Sequence, residues 1–270
     1  MIGFWYFYLN KKLKKSRVYN NMIEKSEFFA KVEAVFREND LEEYIKPEIL
    51  EKFYDLTNIM LETNEHMNIT AITGIDAIIA RHYADSLLML KVEIEKGEEI
   101  CDVGCGGGFP SFPLAIARPD IKILGIDSTE KKVAYVNDTA KKLGLENLKA
   151  ISGRAEDLAA AKGEYRERFD VVCARAVAAL PMLSELCIPF VKMGGRFVSL
   201  KAKTAEEELN SAKKGIEKLG GIIEKTEKLT LNDKTIEEKS AERYLITVRK
   251  KVKTPQNYPR AFAQIKKKPL

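Results

Sequence analysis

The spacing of apolar positions along the chain changes once, near residue 98. Between Met22 and Leu90, the stretches FFAKVEAVF, PEILEKFYDLTNIMLE and IDAIIARHYADSLLML repeat apolar residues three and four apart, the period of one helix face. Pro47 suits the first turn of the second helix and Gly74 breaks the chain before the third; NEHMNITAIT is a polar connector between them. From Glu98 onward, the short runs EICDVG, IKILGID, LKAISG, FDVVCAR and GRFVSLKA read as strands. They alternate with the helix-like PSFPLAIA, TEKKVAYVNDTAKKLGL, AEDLAAA, PMLSELCIPFV and TAEEELNSAKKGIEKLG. Such alternation predicts an α/β fold with parallel strands and helices on both faces. Two more strand-like runs, GIIEKTEKLTL and RYLITVRKK, follow with no helix between them, which predicts a terminal antiparallel pair. The chain therefore divides into an extension at 1–21, a helical subdomain at 22–92, a Rossmann-like sheet domain at 93–252 and a basic tail at 253–270.

Composition narrows the class. The 270 residues are 45% hydrophobic and 31% charged, as in a globular protein, and no apolar run reaches the length of a membrane span. The apolar start MIGFWYFYLN has its lysines after the stretch and no cleavage site behind it, so it is a poor secretory signal, and Met22 is an equally good start. The four cysteines lie in or beside apolar segments without a CxxC pair, which predicts reduced thiols, no metal site and a cytoplasmic setting. The net charge of +5 is unevenly placed: residues 1–20 carry five basic and no acidic side chains, and residues 249–270 carry eight and none. The remaining 32 basic residues face 40 acidic ones, so an acidic body has basic ends that suit a polyanion or simply solvate the tails.

The strongest chemical signal is the run from Asp102 to Pro110, DVGCGGGFP, between a strand and a helix. Gly104, Gly106 and Gly108 let a backbone turn sharply and approach a ligand closely, although a tight turn alone has the same composition. Asp127 ends the next strand, about 20 residues on, where an acid accepts hydrogen bonds from ribose hydroxyls. Asp102 stands just before the first glycine, a position hostile to a pyrophosphate and favourable to a ligand carrying a sulfonium and an ammonium. S-adenosylmethionine is such a ligand. Glu156, after the third strand, either bonds the adenine edge or only complements a helix N-terminus.

Together these segments resemble the small-subunit rRNA (guanine-N7) methyltransferase family, RsmG or GidB, over roughly Phe53 to Leu270. The resemblance rests on NEHMNITAIT, RHYADSL, DVGCGGGFPSFPLAIA, LGIDSTEKK, GRAEDLA, CARAVAAL, GGRFVSLKA and the closing YPR…KKKPL. It implies a class I methyltransferase sheet, S-adenosylmethionine as cofactor, and 16S rRNA or the small ribosomal subunit as partner, with no obligate protein partner. It also implies that Gly104, Phe109, Asp127, Ser128, Thr129, Ala155, Glu156 and Arg175 contact the cofactor. His82, Asp85 and Ser86 match a motif near the donor, and Lys201 ends the fifth strand nearby; His82, Arg175 and Lys201 are the catalytic candidates. Ser111 stands where the family often has a second glycine, and Ala261-Phe262-Ala263-Gln264 replaces the usual Gly-x-Pro of the tail.

Guanine N7 carries an in-plane lone pair, so attack on a methyl group needs alignment and no Cys or His nucleophile. A-form RNA hides N7 in a deep, narrow groove, so the target must be looped or extruded, with Phe109 as the expected stacking platform. Arg81, Arg260, Lys266, Lys267 and Lys268 are the expected phosphate contacts. Rival readings are a methyltransferase of another RNA, a protein or a small molecule on the same fold, an NAD-dependent oxidoreductase, and a non-catalytic RNA-binding module.

Overall fold

A computed structural model describes residues 23–175, 178–202 and 205–270. The extension at 1–21, residues 176–177 of CARAVAAL, and residue 204 at the head of the predicted TAEEEL helix lie outside the described residues. The predicted strand–helix alternation forms one seven-stranded sheet in the order β3-β2-β1-β4-β5-β7-β6. Its strands are β1 (Glu99–Val103), β2 (Lys122–Asp127), β3 (Leu148–Ser152), β4 (Phe169–Arg175), β5 (Val191–Lys201), β6 (Gly221–Asn232) and β7 (Ser240–Lys250). The first five pair in parallel, while β7 lies antiparallel to both β5 and β6. The antiparallel pair is therefore inserted in reverse order, with β6 at the edge. The sheet runs outward from β1 to β3 and then restarts at β4 on the other side of β1. That switch leaves a crevice at the carboxyl ends of β1 and β4, the usual ligand position in such sheets.

Period-two side-chain alternation sorts the strand residues into two cores. Ile100, Val171, Cys173, Val198 and Leu200 face one apolar cluster, whereas Cys101, Val103, Val172, Ala174 and Phe197 face the other. The N-terminal helices α1 (Lys25–Glu38) and α2 (Pro47–Asn64) pack on the first face. Pro47 opens α2, where a missing backbone N–H costs nothing. The third segment, α3, runs through Ile75–Ile78, a π-helical stretch Ile79–Ala84 and Asp85–Leu87. The helical region shares a core with the sheet: Phe28, Val32, Phe36, Phe53 and Tyr83 belong to the same cluster as Ile100 and Phe112.

The remaining helices are α4 (Ser111–Ala117), α5 (Glu130–Lys142), α6 (Ala155–Leu158), α7 (Leu180–Cys187), α8 (Ala205–Lys218) and α9 (Phe262–Lys267). Three differ from expectation. AEDLAAA is helical only to Leu158, because Tyr165 N–H bonds Leu158 O and the Arg166 guanidinium bonds Ala159 O, drawing the chain into turns. PMLSELCIPFV ends as a 3-10 turn, Ile188–Phe190, and Val191 already belongs to β5. The basic tail forms α9 and folds back on the second face. Arg166 holds the carbonyls of Tyr258 and Thr254, each at 2.7 Å, and Ile265 is fully buried.

Candidate active site

The loop after β1 is closed by its neighbours. Gly104 and Cys105 donate their N–H groups to Ile126 O at 2.8 and 3.0 Å. Asp127 accepts from Gly106 N–H at 3.0 Å and from Thr129 N–H at 2.8 Å, tying the loop to the end of β2. Gly108 has φ +86°, and a Cβ there would lie 2.2 Å from the Phe112 ring, so only glycine fits. Above the loop opens a cavity of about 710 Å³. Of the expected cofactor residues, Gly104, Gly106, Phe109, Asp127, Ser128, Ala155, Glu156 and Arg175 line it, whereas Asp102, Gly108 and Thr129 do not.

Asp102 lies beneath the loop, fully buried. Ser111 Oγ donates to its Oδ2 at 2.5 Å, and Oδ1 has no partner. Burial pushes its carboxyl up to about 6, partly opposed by the Ser111 hydrogen bond and by the Arg175 charge. An orphaned, desolvated carboxylate oxygen under a glycine loop is a standing site of negative potential. That fits a cationic ligand above the loop, such as S-adenosylmethionine, and opposes a pyrophosphate. Asp102 thus acts through its field rather than as part of the cavity wall.

The opposite wall comes from α3 and β4. His82 stacks on Phe109 with ring centroids 4.2 Å apart and planes 12° apart. Burial, with the charges of Arg175 and Arg81 behind it, lowers the His82 pKa to about 3, so the ring is neutral. Its Nδ1 faces Arg175 Nη2 at 3.4 Å, and a guanidinium only donates, so Nδ1 accepts and Nε2 carries the proton. Nε2–H then donates to Thr70 Oγ1 at 2.8 Å. Phe109 is 8% exposed and has His82 on one face, with Tyr83 and Phe112 also against the ring. The expected stacking of a target base on Phe109 is therefore corrected: the ring already serves as the floor for His82.

Arg175 is fixed by Asp85 Oδ2 at 2.9 Å and by the Arg81 carbonyl at 2.7 Å, while Arg243 reaches the other oxygen of Asp85 at 2.6 Å. Ser86 Oγ donates to His82 O within α3. Lys201 does not line the cavity; its ammonium bonds Ala178 O at 2.7 Å and Glu208 at 2.8 Å, holding the chain just after β4. Among the expected phosphate contacts, Arg81 is bound to Asp233 at 2.7 Å and Arg260 to the fully buried Glu185. Lys266, Lys267 and Lys268 are exposed.

The cavity also contains residues that sequence reasoning missed: Ile69, Thr70, Lys132, Arg154 and Phe262. Thr70 lies in the connector NEHMNITAIT, which Asn64 pins by accepting from the N–H groups of Ile69 and Thr70 at 2.8 and 3.0 Å. All four cysteines are free and buried, and burial raises their thiols, so none is a nucleophile. Among the described residues, no cluster of His, Cys, Asp and Glu could hold a metal.

Comparison with known proteins agrees with this geometry. Residues 49–237 match the GidB family model, rRNA small subunit methyltransferase G. The Ribosomal RNA small subunit methyltransferase G of Limosilactobacillus reuteri is 41% identical over 229 residues, covering 84% of this chain and 93% of that protein. Its counterpart in Lachnoclostridium phytofermentans is 41% identical over 222 residues, covering 82% and 89%. The crystal structure of M. jannaschii TYW2 in complex with AdoMet shares the fold, with a TM-score of 0.50 and 16% identity over 63% of this chain and 76% of that one. With a glycine loop over a buried acid and relatives matched across most of their length, the chain belongs to the GidB family, rRNA small subunit methyltransferase G.

Proposed function

We propose that this protein transfers a methyl group from S-adenosylmethionine to N7 of a guanine in 16S rRNA, free or within the small ribosomal subunit, in the cytoplasm and without an obligate protein partner. Membership of the family makes it an rRNA methyltransferase that uses S-adenosylmethionine. Among the described residues, no helix is long and apolar enough to cross a membrane. The observation that carries the donor reading is the unpaired, fully buried Oδ1 of Asp102 beneath the glycine loop.

S-adenosylmethionine, when bound, supplies an electrophilic methyl carbon on a sulfonium. The chain's own residues hold and orient. Asp127 and Glu156 line the cavity where ribose hydroxyls and the adenine edge would be bonded, and Asp102 compensates positive charge from below. Because guanine N7 would attack through its in-plane lone pair, no residue of the chain need take a proton from it. Neutral His82, already donating to Thr70 and accepting from Arg175, is suited to shape the wall rather than to remove a proton. Alignment alone supplies about 7–11 kcal/mol of such a barrier. Arg175, which lines the cavity, shares the single carboxylate of Asp85 with Arg243, and this makes it the cavity-side candidate for an RNA phosphate.

Incubation with methyl-labelled S-adenosylmethionine and small ribosomal subunits lacking native modification tests the reading. Label in the rRNA supports it. Label in ribosomal protein, or none, overturns it.

A further inference from the structure

Phe262, the first residue of α9, stands apart from the other exposed apolar side chains. Among the described residues, Met193, Ile222, Val252 and Phe262 are the large hydrophobic side chains left exposed, and of these only Phe262, at 37%, lines the cavity over the glycine loop. It is not on a loose end. Two residues earlier, Arg260 bonds the fully buried Glu185 through its backbone N–H at 2.9 Å, its Nε at 2.8 Å and its Nη2 at 2.5 Å. Three residues later, Ile265 is fully buried, and Arg260 Nη2 also caps Lys268 O at 3.0 Å. An apolar ring is thus held by the anchored tail at the rim of the cavity.

Its neighbour identifies the ligand chemistry. The Arg154 guanidinium lies 6.0 Å from the Phe262 ring centroid and pairs with Glu156 at 3.4 Å. Arg154 and Glu156 follow β3, one strand beyond Asp127 at the end of β2 and on the far side of the cavity from His82 and Arg175. A ligand laid across the carboxyl ends with its ribose at Asp127 would place its base near β3. An aromatic face with a carboxylate and a guanidinium around it matches the π-face and polar edge of a purine.

We propose that Phe262 stacks on the adenine of the methyl donor, making α9 a fixed cover over that end of the site. The proposal rests on the reading that the cavity holds S-adenosylmethionine. Calorimetric titration with S-adenosylhomocysteine tests it in the full-length protein. Phe262→Ala weakens binding about tenfold, the scale of lost base–aromatic stacking, while Phe262→Trp binds like the wild type and its added indole emission is quenched by the ligand. The exposed position of Phe262 means that both variants should fold; matching thermal midpoints verify it. If Phe262→Ala binds S-adenosylhomocysteine within twofold of the wild type, the stacking is refuted. It is refuted equally if only the KM for rRNA rises, which would assign the ring to the target base. Wild-type protein that binds no S-adenosylhomocysteine overturns both this proposal and the reading beneath it.

Discussion

Ser111 Oγ donates a 2.5 Å hydrogen bond to Asp102 Oδ2 and leaves Oδ1 of the same fully buried carboxylate unpaired. Ser111 therefore fixes which oxygen stays open. A carboxyl raised from 3.8 to about 6 binds its proton more tightly in the native than in the unfolded state. Its contribution to stability is complete below pH 4 and is lost as pH rises to 6, a loss of about 3 kcal/mol. Asp102→Asn should then raise the thermal midpoint of the free protein at pH 7.5 by several degrees while weakening S-adenosylmethionine at least tenfold. A variant that loses stability, or that keeps full affinity, contradicts this.

The same group sets a pH dependence. Donor binding requires the carboxylate, so affinity for S-adenosylmethionine should fall below pH 6, approaching tenfold per pH unit. The Ser111 hydrogen bond lowers the Asp102 pKa, so Ser111→Ala should move the midpoint of this fall to higher pH. Calorimetry between pH 5 and 8 reads both; superimposable wild-type and variant curves argue against it.

His82 provides a control with the opposite sign. Its pKa is lowered from 6.5 to about 3, so the unfolded chain takes up a proton that the native ring refuses. Stability from this group is complete above pH 6.5 and is lost as pH falls toward 3, by up to about 1.4 kcal/mol per unit. His82→Phe preserves an aromatic face on Phe109 and should lose less thermal stability than the wild type between pH 6.5 and 5. Equal losses would mean that His82 protonates in the folded protein.

Asp85 joins the cavity to β7 by holding Arg175 and Arg243 together. Asp85→Asn leaves two largely buried guanidiniums without their shared carboxylate and should destabilise the protein by about 3 kcal/mol. The double variant with Arg243→Met should recover part of that loss. Chemical denaturation of the three proteins measures the coupling, and additive effects would rule it out.

Lys266, Lys267 and Lys268 are exposed tail charges open to RNA, as is Lys253. Truncation at residue 249 is the wrong test of them, because Lys250 belongs to β7 and is buried against Ile188 O and Thr254. Replacing the three lysines with glutamine should reduce the slope of log affinity against log salt by roughly 2. An unchanged slope places the phosphate contacts elsewhere.

Most of the sheet was legible because strand and helix periods are local. EICDVG, IKILGID, LKAISG and FDVVCAR match β1 to β4 within a residue or two. The glycine loop was legible for the same reason, since residues 102–110 carry its turn and its acid together. What escaped depends on partners far apart in the chain. Nothing near Arg260 signals Glu185, which is 75 positions away, so the tail looked like a free basic arm and α9 went unseen. Phe109 looked available to a base because its cover, His82, comes from another segment 27 positions earlier. Asp102 was recognised as an acid suited to a cation, but its burial and its bond to Ser111 emerge only from packing.

N7-methylation leaves the guanine ring open to reduction, after which aniline cuts the strand at that nucleotide. Small-subunit rRNA treated with the protein and S-adenosylmethionine, reduced with borohydride and exposed to aniline should show a new scission at one guanine. It should be absent when either protein or donor is withheld. Labelled rRNA that resists scission would put the methyl group on a different atom and contradict the account at its centre.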